Sequence, residues 1–344
     1  MNSKKILRAS ILGCGGIAQK HAQTALNLQN EIELVAFCDV SEANARTFAE
    51  QYTANRATTF TDHRTMLDRA NLDLLIVCLP PFAHTDEVQL AAERGIHLLI
   101  EKPIALTSEL AWRMVEVAER ARIQTQVGFM YRFGKAIQKF KTELAVNKTG
   151  VVGLFSARYF CNSLHAPWWR VREKSVGQLV EQAIHLFDTL RFLCGEPVSV
   201  FSRQTNVFHH DVPDYSSEDV SATVCSFANG ALGVIYATNG AIPGKWIKEW
   251  RIVAQNLVAE FSDWNNATFT RTNAQPPSIE SIASTQDAFT LQLRDLVNAI
   301  RTNGATRTPI REGARTLDLV LAAARSAETH SEILLDADER EFSK

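Results

Sequence analysis

The hydrophobic residues in the first third of the chain form short, continuous runs that alternate with stretches of helical periodicity. Continuous apolar runs of this length are typical of strands buried on both faces of a parallel sheet. The predicted strands lie at 6–12, 32–38, 72–79, 97–100 and 125–127, and the predicted helices at 17–28, 42–52, 83–94 and 108–121. This alternation predicts a doubly wound α/β domain over residues 1–130.

Beyond residue 130 several successive segments alternate between apolar and polar positions, which predicts consecutive strands. These strands lie at 152–160, 198–204, 220–227, 231–238, 250–254, 257–261 and 268–271, with helices at 133–146, 177–193, 286–301 and 311–331 and a surface loop at 273–278. The pattern predicts an α+β domain over 131–344, built on one large, open, mainly antiparallel sheet with the C-terminal helices packed back onto it. Because such a sheet leaves one face uncovered, we expect a homodimer or homotetramer formed through it.

Composition narrows the class of protein. The net charge of −2 gives no basic surface for nucleic acid, and no apolar run reaches the length of a membrane span. The N-terminus leads directly into the first strand without a leader pattern. The six cysteines are scattered and form no C-x-x-C pair, which is typical of a reducing compartment. We therefore expect a cytoplasmic enzyme that acts on a small molecule.

A glycine pattern joins the first predicted strand to the first predicted helix: Gly13, Gly15, Gly16, Ile17 and Ala18. In a dinucleotide site the first glycine permits a tight turn and the second lets the backbone approach a pyrophosphate. The alanine keeps the helix close to the sheet. The phosphates then bind the free N–H groups of the helix N-terminus. We predict that these five residues bind a cofactor; the alternative is a glycine turn with no ligand.

Asp39 follows the second predicted strand, about twenty residues beyond the glycine pattern. A carboxylate at this position accepts hydrogen bonds from a ribose 2′-hydroxyl and repels a 2′-phosphate. We therefore expect NAD, with NADP as the alternative. The simpler interpretation of Asp39 is a helix cap.

Over nearly its whole length the chain resembles the glucose–fructose oxidoreductase / inositol dehydrogenase / rhizopine-catabolism (Gfo/Idh/MocA) family. Besides the glycine pattern and Asp39, the matching pieces are Leu79-Pro80-Pro81 with His84, Glu101-Lys102-Pro103, Tyr131-Arg132-Phe133 and the segment 177–188. The resemblance implies a Rossmann domain, an open-faced second sheet, and the oxidation or reduction of sugars, inositols or related polyols with NAD(P). Two departures are Glu181, where many members carry Asp, and Val176-Gly177-Gln178, where many carry three glycines.

The resemblance directs attention to a lysine and a histidine. Lys102 follows a predicted strand and can donate to the reacting oxygen, while His185 can carry a proton near neutral pH. Glu181 lies four residues before His185 on one predicted helix and can orient it. We predict that these three are catalytic and also contact the substrate. A helix-surface ion pair is the alternative, and we expect no metal, because no third ligand is suitably spaced.

The remaining candidates come from the strand ends and from aromatic residues. Leu79, Pro80, His84, Glu101 and Lys102 are expected at the cofactor. The resemblance further implies that Trp169 and Arg170 cover the cofactor and that Tyr131, Arg132 and Trp168 contact the substrate, with interface packing as the alternative. Two rival functions stay open: a sugar- or nucleotide-sensing protein without catalysis, and a reductase of a non-sugar substrate.

Overall fold

The computed structural model describes residues 5–335 and divides into two compact units. The first contains Met1–Met130 and Asp287–Ala314, and the second contains Tyr131–Gln286 and Arg315–Lys344. The segment Asp287–Ala314, which the sequence assigns to the second domain, therefore groups with the first.

Six parallel strands form the sheet of the first unit: β1 (Leu7–Leu12), β2 (Ile32–Cys38), β3 (Thr58–Phe60), β4 (Leu74–Val77), β5 (His97–Ile100) and β6 (Thr125–Val127). Their order across the sheet is β3-β2-β1-β4-β5-β6. The direction of winding reverses between β1 and β4, and ligands of doubly wound sheets bind beyond the carboxyl ends of the strands at such a point.

Five helices connect these strands: α1 (Gly16–Asn27), α2 (Glu42–Thr53), α3 (His63–Arg69), α4 (Glu87–Glu93) and α5 (Ser108–Ala121). Side-chain caps set several of their starts, since Ser41 accepts from the Asn44 N–H at α2 and Thr107 accepts from the Leu110 N–H at α5. The doubly wound α/β prediction is confirmed. The sequence pattern missed β3 and α3, because a three-residue strand is too short to establish a period.

The second unit is built on nine strands: β7 (Val152–Phe160), β8 (Ser199–Thr205), β9 (Val220–Ser226), β10 (Leu232–Thr238), β11 (Ile247–Ala254), β12 (Leu257–Phe261), β13 (Ala267–Arg271), β14 (Ser278–Ile282) and β15 (Ile333–Leu334). They lie in the order β14-β13-β12-β11-β7-β10-β9-β8-β15. Within this sheet, β7 and β10 are the only described neighbours that pair in parallel. The mainly antiparallel prediction is confirmed, with β14 and β15 as additional edge strands.

Within Tyr131–Gln286 this unit has four helices and one π-helical segment: α6 (Lys135–Ala145), α7 (Pro167–Arg170), α8 (Arg172–Ser175), the π-helical Leu179–Ala183 and α9 (Ile184–Cys194). The predicted helix over 177–193 is thus π-helical in its first part. One face of the sheet is buried by aromatic packing, in which Phe140 of α6 meets Phe261 and Phe269 edge-on. The other face leaves apolar side chains exposed at alternate positions, including Leu232, Tyr236 and Val253.

Two helices close the described chain, α10 (Ala288–Thr302) and α11 (Ile310–Thr329). Leu293, Leu296 and Val297 of α10 join the core that contains β1, β2 and β4, which explains why this helix groups with the first unit. Within residues 5–335, no helix combines the length and the apolar character that crossing a bilayer requires.

Candidate functional site

The glycine loop between β1 and α1 has two kinds of glycine. Gly13 has φ +88°, and a Cβ there would lie 2.6 Å from the carbonyl oxygen of Cys78, so the chain itself requires glycine. A Cβ on Gly15 or Gly16 would meet no protein atom within 4 Å. The fold leaves space at these two positions beside the N-terminus of α1, where free N–H groups bind anions. This loop fits a dinucleotide pyrophosphate.

Asp39 lies beside the loop at the end of β2. Its Oδ2 accepts from the Cys14 N–H at 2.8 Å, and its Oδ1 accepts from the Ser41 N–H at 2.8 Å. Oδ1 also accepts from Asn44 Nδ2 at 3.4 Å, while Oδ2 keeps a second lone pair that can accept from a ribose hydroxyl. Asp39 therefore holds the glycine loop in shape and remains suited to the predicted cofactor contact.

Leu79, Pro80 and His84 follow β4, the strand adjacent to β1. His84 is buried, and its Nδ1 donates to Oε1 of Glu87 at 2.6 Å. Burial raises the pKa of Glu87, but the hydrogen bond and charge of His84 outweigh it and bring that pKa below its ordinary value. No hydrogen-bond partner of His84 Nε2 lies among the described residues. The Glu87 bond thus fixes the orientation of the ring and leaves Nε2 as the polar atom for a ligand.

Glu101 and Lys102 follow β5. The Glu101 side chain is buried: Oε1 accepts from His21 Nε2 at 2.6 Å, and Oε2 accepts from the Lys102 N–H at 3.2 Å. Both carboxylate oxygens are therefore engaged within the first unit. Lys102 itself is half-buried at the carboxyl end of the sheet, where doubly wound folds bind their ligands.

In the second unit, Glu181 lies in the π-helical segment and His185 in the first turn of α9. Glu181 Oε2 accepts from the indole Nε1 of Trp169 at 2.8 Å. The His185 ring stacks on Tyr131, with centroids 4.7 Å apart and ring planes 18° apart. Tyr131 also stacks on Trp264, with centroids 4.6 Å apart. π-Helical turns occur frequently at functional sites, and here one carries a carboxylate held by a buried tryptophan.

Arg132 and Asp188 form a buried, bidentate pair. The guanidinium donates from Nε to Oδ2 at 2.9 Å and from Nη2 to Oδ1 at 2.6 Å, and both residues are less than 5% exposed. Such fork-to-fork bonds are strong and fix relative orientation. Tyr131 and Arg132 together attach the Met130–Phe133 turn to α9, and this attachment favours a supporting function for Arg132.

The carboxylate that anchors the π-helical segment was not predicted from the sequence. Glu218 is buried, and its Oε1 accepts from the Leu179 N–H at 2.7 Å. A Cβ on Gly177 would lie 1.8 Å from Glu218 Oε2, so this glycine leaves room for the carboxylate. Burial raises the pKa of Glu218 from 4.5 to about 7, against the opposing effects of the Leu179 N–H and the Arg172 charge. In the sequence, Glu218 lies between strand-like segments of alternating polarity. This pattern does not indicate a contact between Glu218 and the Leu179 N–H.

Of the remaining candidates, Trp168 is half-buried in α7. Arg170 donates to the carbonyl oxygens of Leu164 and His165 at 2.8 and 3.2 Å. The cofactor candidates from the glycine loop to Lys102 lie in the first unit, and Tyr131, Arg132, Trp168, Trp169, Arg170, Glu181 and His185 lie in the second. No cluster of three or more His, Cys, Asp or Glu suited to a metal ion occurs within residues 5–335.

Two family models match this chain. The model of the oxidoreductase family with an NAD-binding Rossmann fold matches residues 7–129, and the GFO/IDH/MocA C-terminal domain matches residues 137–256. Together they cover more than two thirds of the sequence. The chain belongs to the Gfo/Idh/MocA oxidoreductase family. This membership confirms the predicted family, the NAD-dependent enzyme class and the Rossmann fold of the first unit.

Individual members of the Gfo/Idh/MocA family are distant relatives. D-glucoside 3-dehydrogenase of Escherichia coli (strain K12) is 28% identical over 242 residues, which cover 66% of this chain and 68% of that protein. The rhizopine catabolism protein MocA of Rhizobium meliloti is 26% identical over 327 residues, which cover 95% of each. The structure of levoglucosan dehydrogenase in complex with NADH and levoglucosan shares the fold. Its TM-score is 0.88 at 18% identity, covering 96% of this chain and 99% of that chain.

Proposed function

We propose that this protein transfers a hydride between a nicotinamide dinucleotide and a carbinol or carbonyl carbon of a sugar, sugar derivative or polyol. The observation that carries the proposal is the position of Lys102, at the carboxyl end of a strand in the sheet that carries the glycine loop. Support comes from family membership and from relatives named as dehydrogenases of glucosides and inositols.

Lys102 is the proposed donor to the reacting oxygen, because an ammonium group stabilises negative charge that develops there. His185 is the proposed proton carrier, and its stacking on Tyr131 fixes the plane of the ring. Glu181, held by Trp169, is proposed to orient His185 or bind a substrate hydroxyl. The bound dinucleotide supplies the hydride chemistry. Trp168, Tyr131 and Arg132 stay predictions as substrate contacts.

The cofactor proposal assigns the pyrophosphate to the glycine loop and the ribose to Asp39, with NAD preferred over NADP. Leu79, Pro80 and His84 are proposed to contact the nicotinamide half, because they follow the strand next to β1. The polar side-chain atoms of Trp169 and Arg170 form hydrogen bonds within the second unit. Their contact with the cofactor therefore stays a prediction.

The test is a panel of sugars, polyols and non-sugar carbonyl compounds, followed by NADH absorbance in both directions. Binding of NADH is measured separately by fluorescence. Turnover confined to sugars and polyols supports the proposal. Tight NADH binding with no turnover of any compound would indicate a sensor without catalysis. Turnover of non-sugar compounds alone would indicate a reductase of a non-sugar substrate.

We also propose that two or four copies assemble through the exposed face of the nine-stranded sheet. Supporting this, apolar side chains from neighbouring strands, among them Leu154, Val224 and Tyr236, are more than one third exposed on the sheet. A cytoplasmic location accompanies the proposal, supported by six cysteines that are all free.

A further inference from the structure

We infer that His21 is a positioning residue, which acts through the Glu101 carboxylate on the catalytic lysine Lys102. This inference rests on the proposed function of Lys102. His21 lies on α1, eight residues after Gly13, and neither the sequence pattern nor the proposed mechanism uses it.

The environment of His21 is unusual for a structural helix face. Apart from Thr24, its neighbours on the buried face of α1 are Ala18, Ala22 and Ala25, all at most 1% exposed. A histidine among alanines brings a polar group into an apolar interface, which is unfavourable without a partner. The partner is Glu101, whose Oε1 lies 2.6 Å from His21 Nε2. Phe289 meets the imidazole edge-on at 5.7 Å and limits its rotation.

Gly128 provides an independent observation on the same carboxylate. A Cβ at this position would lie 2.6–2.8 Å from the carboxyl atoms of Glu101. Gly128 does not have positive φ, so its backbone conformation does not demand glycine. The need for glycine comes from the carboxylate that packs against it. Three elements, α1, the end of β5 and the end of β6, therefore enclose Glu101.

This enclosure has a direct consequence for Lys102. With Oε1 bound to His21, Oε2 faces the Lys102 N–H at 3.2 Å. The carboxylate thus restrains the backbone from which the lysine side chain extends. Loss of His21 frees Glu101 to rotate, and this restraint is lost. A misplacement of about 1 Å lowers a catalysed rate by about 10²-fold, even when it originates away from the reacting atoms.

The experiment uses the full chain and four variants. His21→Leu removes the donor, His21→Gln retains an N–H that can reach Glu101, and Gly128→Ala displaces the carboxylate while His21 stays in place. Gly153→Ala is the matched control, because its Cβ would meet its nearest atom at 3.9 Å. Single-turnover hydride transfer, NADH affinity and the unfolding midpoint are measured for each.

We expect His21→Leu and Gly128→Ala to lower the transfer rate by about 10²-fold with NADH affinity retained. His21→Gln should recover most of the rate, and Gly153→Ala should match the wild type. Wild-type transfer rates in both His21→Leu and Gly128→Ala, with only the unfolding midpoint lowered, would overturn the inference.

A second readout needs no substrate. Trinitrobenzenesulfonate labels lysine amines, and mass spectrometry measures how fast it labels Lys102. This rate reports the position and accessibility of the Lys102 side chain. Labelling should change in His21→Leu and Gly128→Ala and stay unchanged in His21→Gln and Gly153→Ala. Unchanged labelling in all variants would overturn the positioning role of His21. If labelling changes but the protein turns over no sugar, the positioning role of His21 is retained and the proposed function is rejected.

Discussion

The two units support their candidate catalytic side chains by different means. In the first, Lys102 follows a strand, and the carboxylate of its sequence neighbour Glu101 binds its backbone N–H. In the second, His185 lies on a helix that is held by Tyr131 and by the Arg132–Asp188 pair, from a distant part of the chain. The first arrangement has a sequence-local bond that is recognisable as a motif, together with one long-range contact from His21 to Glu101. The second depends on tertiary contacts.

This difference predicts different consequences of substitution. A change at a strand end of the first unit should affect chemistry or cofactor choice with little effect on stability. A change around α9 of the second unit should affect stability and activity together, because the same contacts hold the helix and aim its side chains.

The largest expected effect is on chemistry. Lys102→Ala and His185→Ala should each lower kcat by about 10²–10⁴-fold while NADH still binds. His185→Ala should also destabilise the second unit by about 0.5–1.5 kcal/mol through the lost stacking on Tyr131, whereas Lys102→Ala should not. Single-turnover transfer, NADH fluorescence and chemical denaturation measure these quantities, with Lys148→Ala and His210→Ala as exposed controls.

The double variant should be scarcely worse than the worse single variant, because groups that act as a unit are not additive. If Lys102→Ala lost NADH affinity and kept its transfer rate, Lys102 would be a cofactor ligand and the catalytic assignment would rest on His185 alone.

The loss of stability on removing an arginine should differ most clearly between the two units. Arg132→Ala leaves Asp188 buried without its bidentate partner and should cost about 3–5 kcal/mol. Arg64→Ala removes an exposed, solvent-screened partner of Asp86 in the first unit and should cost far less stability than Arg132→Ala. Urea denaturation measures both. Equal losses of unfolding free energy in Arg132→Ala and Arg64→Ala would contradict the proposed difference between the two units. Arg132→Met with Asp188→Leu should lie closer to the wild type than Arg132→Ala.

The third effect is a pH dependence in the second unit. The pKa of Glu218 is raised from 4.5 to about 7 in the folded state, so folding favours the protonated form. Its contribution to stability is fully present below pH 4.5 and is lost as pH rises towards 7 and beyond. Glu218→Gln cannot ionise and should gain about 2–3 kcal/mol relative to wild type between pH 5 and pH 8. A constant difference between the two unfolding curves across this range would contradict the prediction.

A smaller effect concerns cofactor choice in the first unit. Asp39→Asn keeps an oxygen for the Cys14 N–H but removes the charge that repels a 2′-phosphate. The preference for NAD over NADP, measured as the ratio of the two kcat/KM values, should fall by about 10-fold. Asp68→Asn, at an exposed carboxylate, is the control. Preference for NADP in the wild-type enzyme would reject the assignment of Asp39.

The smallest effect is a gain in stability. Val176 has φ +58°, a left-handed conformation that is unfavourable for a β-branched residue. Val176→Gly should stabilise the protein by about 1 kcal/mol, since removal of this strain exceeds the added freedom of the unfolded chain. Val146→Gly is the matched control, because Val146 also ends a helix but has φ −102° and should lose stability. Thermal unfolding distinguishes the two.

Most of the first unit could be predicted from the sequence. Apolar runs located five of its six strands, and the spacing between the glycine loop and Asp39 located the predicted cofactor site. β3 was not predicted, because three residues are too few to show a period. His21 was missed because a lone histidine within a helical pattern does not indicate its partner eighty residues away.

By itself, the sequence determined the doubly wound class of the first unit, the run of mainly antiparallel strands in the second and the family, because these follow from local periodicity and short motifs. The tertiary structure decided that α10 joins the first unit, that Glu101 binds His21 and that Glu218 anchors the segment carrying Glu181. The physical reason is that each of these depends on a pairing across a long stretch of chain. A buried polar group needs a partner, but only the fold determines which residue supplies it.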